Sequence, residues 1–382
     1  MTGPRYTTLR ERHEALGAAF TDFGGWMMPV RYSSDLAEHH AVRRAAGLFD
    51  ISHMAEFTVD GEDAGAFLDY ALAGRLSTLA IGKAKYSLVL DESGGIVDDV
   101  IVYRLAEGRY LVIANAGNRE AVAEALAGRV PDAAAAGAAR VEVEDVSDAF
   151  ALIAVQGPAA RSVLEATAGI EGLERELSDL PYYAATQGRF DGEPLLIART
   201  GYTGEDGFEL LVPTAAAGAL WDALSVAGDP LGLVPAGLAA RDTLRLEAGM
   251  PLYGHELSRG IVPAQAGLGR VVAADKEAFV GKTGLSAVVS TAAPVLVGLV
   301  GEGRRAGRAG YAVYTADAAA GSDAAPVGEI TSGALSPTLG HPIAMAFVAP
   351  AVSAPGTPLT IDVRGTRLPV TVTALPFYRR AH

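Results

Sequence analysis

Beyond Lys282 the helical spacing of the preceding chain stops, and short strands punctuated by Gly and Pro take its place. Six runs carry the β-branched and apolar content of strands: Val295 to Val300, Ala309 to Tyr314, Val327 to Ser332, Ile343 to Val348, Leu359 to Val363 and Val370 to Thr373. Strands this close together, each bounded by a turn signal, predict a small β-barrel with TADAAAGSDAAP as its longest hairpin loop. Charge changes at the same place. Residues 281–382 hold eight Lys and Arg against five Asp and Glu, a balance of +3 in a chain of net −14, so residues 1–280 carry −17. A separate C-terminal domain over 281–382, with its own partner surface, is the expectation.

Before that break, strand and helix patterns alternate with many hairpin-like turns, which favours α+β units with antiparallel sheets over a doubly wound parallel fold. A chain of 382 residues is long for one core, so two or three domains are expected. Helical spacing covers Thr8 to Ala19, Ser34 to Ala46 behind a Ser34 cap, Asp63 to Ala73, Asn118 to Ala127, Ala160 to Ala168 and Ala215 to Val226. FGGWMMPVRY reads as an irregular loop whose Trp26 fills the core or meets a ligand. Leu48 to Val59 reads as one strand with His53 and Met54 in its middle, and the Ala-rich Asp132 to Arg140 as a connector. The helix in PAGLAARDTLRLEAGMPLYG carries Arg241, Asp242, Arg245 and Glu247, charges that ordinarily form a solvated face.

An acidic pair interrupts one otherwise apolar strand, GGIVDDVIVY from Gly94 to Tyr103. Period-two alternation sends Asp98, Val100 and Val102 one way and Val97, Asp99, Ile101 and Tyr103 the other. A dry, unpaired carboxylate costs more than the roughly 2–7 kcal/mol of a polar group, so each aspartate needs a partner. Either both cap the preceding glycine turn, or Asp99, which shares its face with a tyrosine, meets a ligand. The same alternation puts Phe208, Leu210 and Val212 on one face and leaves Glu209 on the other.

Composition removes whole classes of chemistry. With no cysteine there is no disulfide, thiol nucleophile or cysteine-ligated metal. The charge of −14 argues against nucleic acid, and no apolar run reaches membrane-spanning length. MTGPRYTTLRERH lacks the apolar region of a secretory signal, so a cytoplasmic location is expected. GKT at Gly281 to Thr283 has Lys276 where a phosphate loop needs glycine, and G-x-S-x-G, H-E-x-x-H and a strand-borne G-x-G-x-x-G are missing. His39 and His40, adjacent on a helix, point about 100° apart and suit surface or partial packing better than one metal. Carboxylates, tyrosines and arginines in glycine-bounded turns remain. They suit an uncharged-to-anionic aromatic ligand.

FGGWMMPVRY, FDISHMAEF, GKAKYS, GGIVDDVIVY, ALIAVQGP, RTGYTGEDGFEL, PAGLAARDTLRLEAGMPLYG, GEITSGALSPTLG and PFYR run in register from Arg12 to Arg380. Together they resemble the T-protein, or aminomethyltransferase, family of the glycine cleavage system. That resemblance implies a folate-binding core over 1–280, made of two α+β subdomains (roughly 1–53 with 142–280, and 54–141), plus the barrel over 281–382. It implies transfer of a methylene group from the aminomethylated lipoyl arm of an H-protein to tetrahydrofolate, a co-substrate, with release of ammonia and no metal. Matched by motif, the family's essential acid is Asp99, and Met54, Tyr86, Tyr103, Asn115, Tyr183, Tyr202, Glu209, Arg241 and Tyr378 belong to its folate site. Two relatives with other roles share the module: folate-dependent demethylating oxidases, which add a flavin domain, and a non-catalytic folate-binding protein with a cysteine motif that this chain lacks.

Overall fold

The computed structural model describes residues 3–287, 292–318 and 324–380 and divides them between two compact units. The first comprises Met1–Val89, Val97–Arg241 and Ala273–Phe279; the second, Leu90–Ile96, Asp242–Val272 and Val280–His382.

The chain begins with α1 (Arg10–Ala15), the hairpin β1 (Ala19–Phe23) and β2 (Trp26–Arg31), then α2 (Asp35–Arg44) and β3 (Ala46–Asp50). After β4 (Ala55–Asp60) and α3 (Ala64–Ala71) come β5 (Ala84–Leu90), β6 (Ile96–Ala106) and β7 (Arg109–Ala114). They lead into α4 (Arg119–Ala135), β8 (Glu142–Asp145), β9 (Phe150–Gln156) and α5 (Ala160–Ala166). The next strands are β10 (Ile170–Glu171), β11 (Ala185–Phe190), β12 (Glu193–Ala198) and β13 (Gly207–Pro213). Then follow α6 (Ala217–Gly228), β14 (Leu233–Pro235) and α7 (Leu238–Glu247).

Two sheets organise the first unit. One has seven strands in the order β10-β11-β12-β13-β9-β3-β14, antiparallel except for the β3–β14 edge pair; the other has five, β5-β6-β7-β4-β8. On the first, Ile153, Val155, Phe208 and Leu210 pack under Trp221 and Leu224 of α6. On the second, Phe57, Val100, Val102 and Val112 pack against Phe67 and Leu68 of α3 and Val122 and Leu126 of α4. Each such side chain stabilises the fold by about 1.5–3 kcal/mol, enough to fix which face of every strand turns inward.

Several segments differ from their sequence reading. FGGWMMPVRY is a hairpin, because Gly24 and Gly25 (φ +60 and +85) supply the left-handed turn that lets its flanks pair. Its Trp26 is only partly buried, with the Arg5 guanidinium 4.0 Å from the ring centroid; Met28 is the residue that disappears into the core. The single strand read over Leu48 to Val59 is two strands of different sheets, separated by the Ile51–Met54 turn. The Ala-rich tract continues α4 as far as Ala135, through Pro131. Alanine is the strongest helix former, and tertiary packing carries the helix over the proline. His39 is completely buried rather than at the surface.

The second unit contains a closed barrel of β15 (Val295–Gly301), β16 (Ala312–Thr315), β17 (Gly328–Leu335), β18 (Pro342–Val348), β19 (Pro358–Val363) and β20 (Thr366–Thr373). Its order is β15-β18-β17-β16-β19-β20, so each of the six strand runs read from the sequence finds a place. Alternate residues such as Leu299, Val313, Ile330, Ala346, Ile361 and Val372 fill the interior. Part of the TADAAAGSDAAP tract, residues 319–323, lies outside the described residues. The glycine turn before β6 is capped by Asp91, whose Oδ1 accepts from the Ser93 and Gly95 N–H groups at 2.9 and 3.0 Å.

The charges of α7 are not a solvated face. Arg245 and Glu247 are buried and only Asp242 is largely exposed. Arg245 donates to Glu256 (3.0 Å) and to the Ser332 hydroxyl of β17 (2.7 Å), while Glu247 accepts from the backbone and side chain of Thr338. These bonds tie the C-terminal half of α7 to the barrel within the second unit.

Candidate active site

The site grows from the face of the five-stranded sheet opposite α3 and α4. Ala55 of β4 pairs with Ala114 of β7, so Met54 and Asn115 leave the two strands at the same end. Asn115 Nδ2 reaches Asp99 Oδ1 at 2.9 Å, and from β5 the Tyr86 hydroxyl donates to Asp99 Oδ2 at 3.1 Å. Asp99 is therefore held on both oxygens yet remains partly accessible.

Asp98 has the opposite fate. It is completely buried on the valine face, and it caps no turn. Its carboxylate accepts from the Asn115 N–H (2.9 Å), Asn115 Nδ2 (2.8 Å) and Asn118 Nδ2 (2.6 Å), which fixes the segment between β7 and α4. Burial pushes both aspartates above the ordinary carboxylate range, Asp98 also through the charge of Asp99, against the lowering effect of their amide and hydroxyl donors. Asn115 thus bridges two carboxyls that burial raises.

A second group joins Tyr103 of β6 to Glu209 of β13 in the seven-stranded sheet and to Thr200, just after β12. The Tyr103 hydroxyl lies 3.0 Å from Thr200 Oγ1, which donates to Glu209 Oε2 at 2.5 Å. Burial raises the pKa of Glu209; its bonds with Thr200 and Tyr103 and the positive charge of Arg241 act against this. The Arg241 guanidinium also lies 5.0 Å from the Tyr202 ring centroid, a cation–π distance. Tyr183 adopts φ +56, a left-handed conformation that costs a bulky residue about 1–3 kcal/mol. Its backbone is locked there: its N–H donates to Arg199 O and its carbonyl accepts from Ala84 N.

Asp99, Met54, Tyr86, Asn115, Tyr183, Tyr202, Glu209 and Arg241 thus all belong to the first unit, and all keep partial exposure while Tyr103 is buried among them. Tyr378 belongs to the second unit, where its N–H donates to Glu247 O. Thr200 and Asn118 complete the networks and were not singled out from the sequence. The signal for Thr200 was its place at the end of a strand, opening the glycine-rich RTGYTGEDG turn. Among the described residues no group of three or more His, Asp or Glu is placed to hold a metal ion, and no helix is long and apolar enough to cross a membrane.

Two family models cover this architecture: the GCVT N-terminal domain matches residues 9–276, and the glycine cleavage T-protein C-terminal barrel domain matches residues 295–379. The chain belongs to the glycine cleavage T-protein family. Members of that family named aminomethyltransferase include one from Cutibacterium acnes, 57% identical over the full length of both chains, and one from Streptomyces avermitilis, 53% identical over 99% of this chain and 98% of the relative. The crystal structure of glycine cleavage system aminomethyltransferase T from Bartonella henselae superposes with a TM-score of 0.87 at 36% identity, covering 98% of each chain. The T-protein family match thus extends across both the folded site and the barrel.

Proposed function

We infer that this chain is an aminomethyltransferase of the glycine cleavage system, taking the aminomethyl carbon from a lipoyl-bearing H-protein to tetrahydrofolate in the cytoplasm. The observation that carries the site assignment is Asp99, an acid gripped by Tyr86 and Asn115 but left partly open. Loss of ammonia from the aminomethyl thioether leaves an electrophilic carbon. One folate nitrogen attacks that carbon; a second displaces the sulfur, which leaves as the dihydrolipoyl thiol. Folate supplies the nucleophiles, so the protein has to bind, orient and manage protons. Asp99 accepts a proton from the attacking nitrogen and stabilises the positive charge that develops there. Mixing the protein with aminomethylated H-protein, with and without tetrahydrofolate, and measuring ammonia tests the reading; no folate-dependent ammonia would refute it.

Glu209 is assigned the pteridine. The amino-pyrimidinone edge presents parallel N–H donors that a carboxylate accepts as a fork, while Arg241 neutralises that carboxylate and the tyrosines supply stacking area. Glu209→Gln should weaken tetrahydrofolate binding by about 1.5–3 kcal/mol, the value of a hydrogen bond to a charged group, with a smaller effect on turnover. A dissociation constant unchanged in titration calorimetry would remove Glu209 from the site.

The H-protein is assigned to the basic part of the chain. Arg304, Arg305 and Arg308 are exposed between β15 and β16, within residues 281–382 of net charge +3, and an acidic carrier is steered by such a patch. Reversing all three charges should raise the apparent KM for the carrier and flatten its salt dependence. If neither changes, docking uses another face.

A further inference from the structure

Gln156 ends β9, a central strand of the seven-stranded sheet, and is completely buried. Its amide is wedged against two glycine backbones: a Cβ added at Gly201 would lie 2.0 Å from Oε1, and one at Gly207 would lie 2.5 Å from Cδ. Both ends of the amide are used. Nε2 donates to Thr200 O at 3.1 Å, and the Thr203 hydroxyl donates to Oε1 at 3.0 Å. A carbonyl only accepts, so the group facing Thr200 O must be the NH2 and the amide has one orientation. The adjacent Gly157 N–H donates to Asp206 O at 2.8 Å and fastens the far end of the same turn.

An apolar side chain would fill this volume without these bonds. What the amide adds is a template for the segment from Thr200 to Gly207, which carries Thr200 between Tyr103 and Glu209 and sets Tyr202 against Arg241. We propose that Gln156 is a positioning residue, which holds Thr200, Tyr202 and Glu209 in their ligand-binding arrangement through this turn. Gln156 acts through its neighbours, and the proposal rests on assigning those neighbours to the tetrahydrofolate site.

The test compares Gln156→Met, which keeps bulk but removes both hydrogen-bonding ends, with Leu224→Ala, a stability control in the core of the same sheet. Amide hydrogen exchange of residues 200–207 is read in the ligand-free protein, and tetrahydrofolate affinity and turnover are read separately. Gln156→Met should speed exchange in the turn and raise the tetrahydrofolate dissociation constant by about tenfold or more, with turnover at saturating folate within a few-fold. Leu224→Ala should change neither the turn nor the affinity. If the methionine variant fails to fold, Gln156→Leu replaces it, because that apolar side chain also removes both hydrogen-bonding ends and the same changes are expected. Behaviour matching the Leu224→Ala control would overturn the proposal, as would a loosened turn with unchanged affinity. Should the unsubstituted protein not bind tetrahydrofolate, the functional reading fails on its own; exchange then decides the template alone, upheld by a loosened turn and overturned by a protected one.

Discussion

Asp99→Asn should lower turnover by roughly a hundredfold or more while leaving tetrahydrofolate affinity within a few-fold, the pattern of a lost acid–base group. The amide keeps the size of the side chain; its oxygen can still accept from Asn115 Nδ2 while its NH2 donates to the Tyr86 hydroxyl, which can accept, so the geometry survives; basicity and charge do not. Asp98→Asn is the internal control. Its carboxylate accepts three N–H bonds in complete burial, and the introduced NH2 would face donors from Asn115 or Asn118. The cost should appear as a stability loss of about 1–3 kcal/mol, larger than that of a surface turn contact. Turnover should fall far less than for Asp99→Asn, since the Asp98 side chain lies on the buried face and its hydrogen bonds reach the site through the shared Asn115. Single-turnover rates with saturating carrier, together with thermal melts, measure both. An inactive, stable Asp98→Asn beside an active Asp99→Asn would place the chemistry on the wrong aspartate.

That pair also shows how far strand alternation reaches. Period two is set by backbone geometry alone, so it sorts Asp98 to the valine core and Asp99 to the open face without reference to any contact. It could not name Asn115 and Asn118 as the partners, because these lie 16 to 20 residues away, across a hairpin whose register comes from packing. The barrel was legible for a similar reason: β-branched runs between frequent turns leave few alternatives. The break between β3 and β4 was not, since His53 and Met54 are compatible with a continuing strand and only the two separate cores pull the flanks apart. At the site, the glycine-rich turn after β12 was plain in the sequence, yet its dependence on Gln156 was hidden. That dependence rests on the amide's bonds to Thr200 O and from the Thr203 hydroxyl, which form only because β9 lies beside the turn.

Burial of the α7 charges gives the largest expected effect on stability. Sequence spacing predicted a solvated face because charged side chains are almost never fully buried unless paired. Here they are paired: the Arg245 and Glu256 side chains are 2% and 0% exposed and 3.0 Å apart, and Arg245 also donates to Met250 O and Ser332 Oγ. Removing one member leaves the other charge dry, which costs about 3–5 kcal/mol, whereas removing both takes the charges away and costs much less than two single losses. Arg245→Met should therefore lower the urea midpoint of the second unit by the larger amount. Adding Glu256→Leu to that variant should recover a good part of it, short of full recovery because Ser332 Oγ, Met250 O and the Leu252 N–H lose a partner. Since the whole network lies in the second unit, tetrahydrofolate affinity, assigned mainly to groups of the first, should stay within a few-fold in both variants. A single Arg245→Met variant within 1 kcal/mol of the unsubstituted protein would mean that water replaces the guanidinium, and that the pair contributes no more than the median of about 0–1 kcal/mol for a surface ion pair.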